Sequence, residues 1–206
     1  MMRRAIKPQI PLGKKGLILC EGETETNYFK GLTTQEKYRR KFAGVGVEVY
    51  KPKDHSPVGL VTEAKRRIAI AKKEKSPYDF VWIVFDKDGH QNIPKAFSDA
   101  NDVKKPGIKI AFSVTCFEYF ILMHFTKTTK AFRKCDDVIS ELKKHFADYE
   151  KSRNLFIDMK DKHDTACANS KWLCERCKTD IQNGKKVYEL SSYTNVHELI
   201  ESLNDL

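Results

Sequence analysis

The chain has 206 residues, enough for one well-filled core, and its 40% hydrophobic and 11% aromatic content excludes an intrinsically disordered polymer. Lys and Arg outnumber Asp and Glu by 38 to 28, a formal net charge of +10 that favours polyanionic partners. No apolar run reaches the roughly 20 residues of a membrane span, and Met1-Met2-Arg3-Arg4 leads to Pro8 and Pro11 rather than to a secretory apolar segment. A cytoplasmic protein without a membrane partner is expected.

In chain order, Gly16 to Cys20 is a short apolar run ending in Glu21-Gly22, the pattern of a buried parallel strand entering a turn. Thr24 to Lys41 is helix-compatible, with Tyr28, Phe29 and Leu32 able to share a face. Val45 to Tyr50 alternates as a strand. Ser56-Pro57 supplies an N-cap and a proline at the first helical position, and Val61, Ala64, Ile68 and Ala71 carry a helix to about Lys75. Phe80 to Phe85 is the strongest strand and ends in Asp86-Lys87-Asp88-Gly89. A short helix from Pro94 to about Val103, a strand from Gly107 to Val114 and a buried helix from Phe117 to Phe125 follow. Strand and helix alternate four times, which predicts an α/β fold with a mostly parallel sheet of about four strands flanked by helices. Beyond Thr126 the pattern is helical at Asp136–Phe146, Leu155–Lys178 and Val196–Leu203. The expected organisation is an α/β core over 1–125 and a helical extension over 126–206, packed together as one folding unit.

Basic residues gather at Lys37–Lys41, Lys65-Arg66-Arg67 and Lys72–Lys75. Such runs are often solvated helix faces, but the one-signed bias marks Lys65, Arg66 and Arg67 as candidates for contacting nucleic-acid phosphates. The six cysteines argue against a disulfide framework in a cytoplasmic chain. Cys174 and Cys177 have C-x-x-C spacing near Cys167 and His163, but a second ligand pair is missing and the surrounding residues read as helix, so packed helical thiols are expected rather than zinc.

Two predicted strands end in acids: Glu21 and Glu23 after the first, Asp86 and Asp88 after the third. Open α/β sheets bind ligands at the carboxyl ends of their strands. Carboxylates gathered there repel one another unless a cation neutralises them, and oxygen donors on loop tips suit Mg²⁺ or Mn²⁺ with a substrate phosphate. Any one of these acids alone is better explained as a turn former or helix cap. Two clusters, each at an apolar-to-acid transition and each with a following glycine (Gly22, Gly89), make the site reading the stronger one. An EF-hand is excluded, because the loop lacks the third acidic position and the terminal bidentate Glu.

Leu17–Gly22 followed by Val84–Asp88 resembles the Toprim pattern of a Glu after one strand and D-x-D after a later one. Together with Cys20–Phe29, Cys116–Phe125 and Tyr193–Leu199, the chain is similar to the RloB-like family, which includes the AbiL-type abortive-infection component of phage defence. The chain departs from that family at Val114-Thr115, where an Asn-Pro pair is usual, and at Phe117-Glu118-Tyr119-Phe120, where F-E-L-W is common. The resemblance implies a Toprim-like fold and metal-dependent phosphodiester hydrolysis of DNA or RNA. It puts Asp86 and Asp88 on Mg²⁺ (or Mn²⁺), Glu21 as ligand or general acid/base, and a partner ATPase encoded alongside. Glu118 could complete a second metal position, or simply complement the start of its helix. His90 and His124 could assist as proton carriers, but a lone His more often serves packing. Thr194, Asn195 and His197 are explained by a cap on the last helix. Two other readings remain. Asp86-Lys87-Asp88-Gly89 matches the nucleophile motif of a haloacid-dehalogenase-type phosphatase, though that motif normally follows the first strand. A non-catalytic nucleic-acid-binding module of a defence complex would also fit.

Overall fold

The computed structural model describes residues 14–36 and 46–205. The basic cluster at Lys37–Lys41 and the last part of the helix expected up to Lys41 lie outside them. The described elements are β1 (Lys15–Cys20), α1 (Glu23–Thr34), β2 (Gly46–Tyr50), α2 (Pro57–Lys73), β3 (Phe80–Asp86), α3 (Ile93–Asn101) and β4 (Ile108–Val114). They are followed by α4 (Glu118–Leu122), α5 (Cys135–Leu142), α6 (Phe156–Met159), α7 (His163–Gln182), β5 (Tyr193–Thr194) and α8 (Val196–Asn204).

The sheet runs β2-β1-β3-β4-β5, with the first four strands parallel and β5 antiparallel to β4. This is the α/β, Toprim-like arrangement expected from the sequence, with a fifth strand added. β5 is two residues long, too short for its alternation to register as a strand in sequence. Each parallel crossover needs a helix, and right-handed crossovers fix the side it takes. The chain moves one way from β1 to β2 and the other way from β2 to β3 to β4. That places α1 on one face and α2 and α3 together on the other, where they pack on each other. The reversal makes the gap between β1 and β3 a topological switch point, where a crevice opens at the carboxyl ends.

The central strands are covered on both sides, which is why they read as unbroken apolar runs. Leu17 to Cys20 and Val81 to Phe85 are all buried. Ser56 accepts the Gly59 N–H at 3.1 Å and caps α2, as its sequence predicts. On the α1 face, Tyr28 is fully buried; its hydroxyl lies 3.1 Å from His124 Nε2 and 3.0 Å from His163 Nδ1. This polar junction ties α1 to the segment after α4 and to the start of α7, and burial holds His124 neutral by pulling its pKa down to about 3.

The Thr194-Asn195 segment does more than start α8. Asn195 occupies the N-cap position, yet its side chain makes no capping bond to the helix N–H groups. Its Oδ1 accepts the Phe112 N–H at 2.8 Å, and its Nδ2 donates to Ile110 O at 3.1 Å and to Glu198 Oε2 at 3.0 Å. Ser113 and Thr194 hydroxyls meet at 2.9 Å beside it. The segment therefore clamps the C-terminal part onto β4, where a helix cap alone had been expected. Among the described residues, no helix is long and apolar enough to cross a membrane.

Candidate functional site

Glu21 follows β1 directly and Asp86 is the last residue of β3, and these strands are neighbours in register, with Cys20 opposite Val84. The two acids therefore meet at the switch point. Glu21 Oε2 accepts the Asp86 N–H at 3.2 Å. Asp86 Oδ1 accepts the Asp88 N–H at 3.0 Å, and Oδ2 accepts the Phe117 N–H at 3.2 Å, so the carboxylate is held by its own turn and by the start of α4. Gly89, at φ +73°, allows the tight turn that brings His90 back, and His90 Nε2 lies 2.5 Å from Glu21 Oε1. One ligand atom each from Glu21, Asp86 and His90 falls within a 4.8 Å cluster.

Asp88 is placed differently. It is exposed, lies outside that tight cluster, and lines the rim shared by two cavities of 360 and 660 Å³. Lys87 lines only the larger one, in keeping with a strand alternation that turns it away from the acids. Glu118 is buried and faces the smaller cavity. Its Oε1 accepts from the Tyr149 hydroxyl at 2.7 Å and lies 3.8 Å from Lys151 Nζ, while Cys135 Sγ is 3.2 Å from Oε2.

Glu25 had not been singled out in the sequence. It sits in the first turn of α1, at the third helical position, from which a Glu can reach back over the helix start. A Cβ on Gly22 would lie 2.3 Å from Glu25 Oε2, so a side chain at 22 would displace the end of this carboxylate. Glu25 is buried; desolvation first, then the charges of Glu118 and Glu21, raises its pKa from 4.5 to about 8. Asp86 is pushed well above the usual carboxylate range by burial, then by Glu21 and Glu25. Burial and the neighbouring carboxylates thus push both acids toward their protonated forms.

The absence of a disulfide framework needs correcting in one respect. Cys116, before α4, and Cys135, at the start of α5, form a disulfide in the cavity wall. Neither position carries a spacing motif, so only the fold pairs them. Cys167, Cys174 and Cys177 lie on α7, where Cys174 and Cys177 thiols donate to Thr194 O at 3.2 Å and Ser192 O at 3.5 Å. His163 is turned toward Tyr28.

On α2, Lys65 and Arg66 are exposed. Arg66 forms a two-point ion pair with Glu63, both contacts at 2.7 Å. Arg67 bonds Glu63, Glu48 and the Tyr50 hydroxyl, and its guanidinium lies 4.7 Å from the Tyr50 ring centre. Two of the three candidate phosphate contacts are thus engaged with acids of their own surface. Lys51 and His55 stand around the carboxylate cavity, as does Lys151, which pairs with Glu118 there.

These features define an open, mostly parallel α/β protein with acids from adjacent strand ends gathered at its switch point. The order of elements, the acid pattern and the Thr194-Asn195 clamp all fall within one family match, described as RloB-like protein, that covers residues 16–203. The chain belongs to the RloB-like family. No curated protein and no solved structure gives a match to it.

Proposed function

We propose that this protein is a divalent-metal-dependent nuclease that hydrolyses phosphodiesters in DNA or RNA. Its setting would be phage defence beside a partner ATPase, as the abortive-infection resemblance implies. The observation that carries the reading is the meeting of Glu21, Asp86 and His90 within 4.8 Å at the switch point of the sheet. The donor set fits the metal: carboxylate oxygens on a strand end and a turn suit Mg²⁺ or Mn²⁺, and the raised pKa of Asp86 reflects a buried charge that a cation would relieve. When bound, such an ion supplies Lewis-acid stabilisation of charge on the phosphate.

In this reading Asp86 and Glu21 hold the ion from two strands, with Asp88 at the rim and Glu118 in the cavity wall as further oxygen donors. His90, on Glu21 Oε1, is placed to take or return a proton through that carboxylate. Lys51 and Lys151 offer positive charge, and His55 a hydrogen-bonding ring, to the phosphates around the scissile one, and the chain's +10 charge draws the polyanion in. Lys65, the exposed lysine of the α2 cluster, would add a contact outside the cavity lining, with Arg66 and Arg67 secondary because of their acid partners.

The test uses the full chain with its partner ATPase, labelled DNA and RNA panels, and Mn²⁺ or Mg²⁺. Asp86→Asn and Glu21→Gln should each lower cleavage by at least about a hundredfold, with circular dichroism unchanged. Asp86→Asn should also weaken Mn²⁺ binding in calorimetry. Cleavage by Asp86→Asn at the wild-type rate would remove the catalytic assignment, and a trapped phosphoryl group on Asp86 would favour the phosphatase instead.

A further inference from the structure

Cys116 is buried in the turn between β4 and α4, and Cys135 is the first residue of α5. Their Cα atoms are 5.6 Å apart across a sequence separation of 19, and the sulfurs are joined as a disulfide. A lone bridge in a chain with a continuous core is not the staple that small, core-poor domains depend on. Its position suggests another role. Both sulfurs and a Glu118 carboxylate oxygen lie within 4.8 Å of one another, and all three residues line the 360 Å³ cavity that also holds Glu21 and Asp86.

The bonding of Glu118 makes the state of this pair consequential. Oε1 is occupied by the Tyr149 hydroxyl at 2.7 Å, with Lys151 Nζ at 3.8 Å. Oε2 has Cys135 Sγ at 3.2 Å, a distance at which a thiol donates its proton. A disulfide sulfur carries no proton and cannot donate. The two states of Cys135 are therefore exclusive at Glu118. With the disulfide formed, Cys135 offers Oε2 no proton; with the dithiol formed, a protein hydrogen bond occupies that oxygen.

We propose that Cys116–Cys135 is a thiol–disulfide exchange site that sets how tightly the carboxylate cavity holds a divalent cation, the disulfide form holding it more tightly. The co-reactants are a dithiol and its disulfide. A reducing dithiol gives two electrons and two protons, the Cys116–Cys135 bond breaks into two thiols, and the reductant leaves as its own disulfide. The reverse exchange with a disulfide oxidant restores the bridge. The effect on the cation rests on the metal reading proposed above, whereas the exchange chemistry does not.

Peptide mapping without reductant, after treatment with oxidised or reduced dithiothreitol, should find the Cys116–Cys135 cross-link in the first sample and two alkylated thiols in the second. Calorimetry with MnCl₂ on the same samples should give about tenfold tighter binding for the oxidised protein, the scale of one hydrogen bond to a charged group. Cys135→Ala, which has no donor, should bind Mn²⁺ like the oxidised protein under both treatments. Cys135→Ser, which keeps a hydroxyl donor beside Glu118, should bind like the reduced protein under both. Failure of the cross-link to form, equal affinity in the two redox states, or identical behaviour of the Ala and Ser variants would overturn the exchange-site proposal alone. A cross-link that forms with no Mn²⁺ bound in either state would overturn the metal reading, and the cation effect with it.

Discussion

Replacing Glu25 with glutamine keeps the shape of a buried side chain and removes its titration. In the native fold this carboxyl has a pKa of about 8 against 4.5 when solvated, because burial and the neighbouring Glu118 and Glu21 oppose its charge. An acid with a raised native pKa keeps its proton in the fold at a pH where the unfolded chain has lost it. Its contribution is therefore fully present below 4.5 and is lost as pH rises through 8. His124 acts in the opposite sense. Its native pKa of about 3, against 6.5, costs stability only as pH falls below 6.5, so the two titrations largely offset each other between 4.5 and 6.5. Above 6.5, Glu25 dominates, with Asp86 raised for the same reason and adding in the same direction. One proton at 1.36 kcal/mol per pH unit, with the slope halved near the native pKa, gives a loss of about 1–2 kcal/mol between pH 6.5 and 8. Urea unfolding of the metal-free protein at those two pH values measures this, and Glu25→Gln should flatten the difference by that amount. A wild-type protein equally stable at both, or a variant with an undiminished slope, would show that Glu25 is not a protonated acid of this cavity.

Nucleic-acid binding should be mainly electrostatic: if six phosphates are neutralised, log K against log salt should have a slope of about −5 on duplex, and a flat response in a filter-binding titration would refute a polyanion surface. Asn195→Ala strands the Phe112 N–H and Ile110 C=O groups that its amide joins, and should cost about 2–4 kcal/mol in urea unfolding without changing Mn²⁺ affinity. Cys174→Ser keeps a donor to Thr194 O and should change stability by less than about 1 kcal/mol. Elemental analysis of the wild type should find less than about one zinc per chain, and stoichiometric zinc lost on Cys174→Ser would contradict this.

Several features were legible because the signals that specify them are local. The apolar runs at Leu17–Cys20 and Val81–Phe85 announce doubly covered strands, Ser56-Pro57 announces a helix start, and a change from apolar to acidic residues marks the two strand ends that carry Glu21 and Asp86. Strand–helix alternation then implies a parallel sheet, and the sheet implies a site at its carboxyl edge.

What the tertiary structure decided is which of these local features face one another. The 2-1-3-4 order makes β1 and β3 neighbours, and so brings Glu21 to Asp86 across 65 positions. Folding the C-terminal part over that edge supplies Cys135, Tyr149 and Lys151 to Glu118, none of which has a spacing signature. Choice among partners was decided there as well. Arg66 and Arg67 read as phosphate contacts but are bonded to Glu63 and Glu48, and Asn195 reads as a helix cap but serves β4. Periodicity and end signals depend only on residues a turn or two apart, whereas hydrogen-bond partners and desolvation depend on atoms that the fold brings close from distant parts of the chain. For that reason the sequence alone could identify the strand-end acids, while the raised pKa of Glu25 and the pairing of Cys116 with Cys135 required the packed chain.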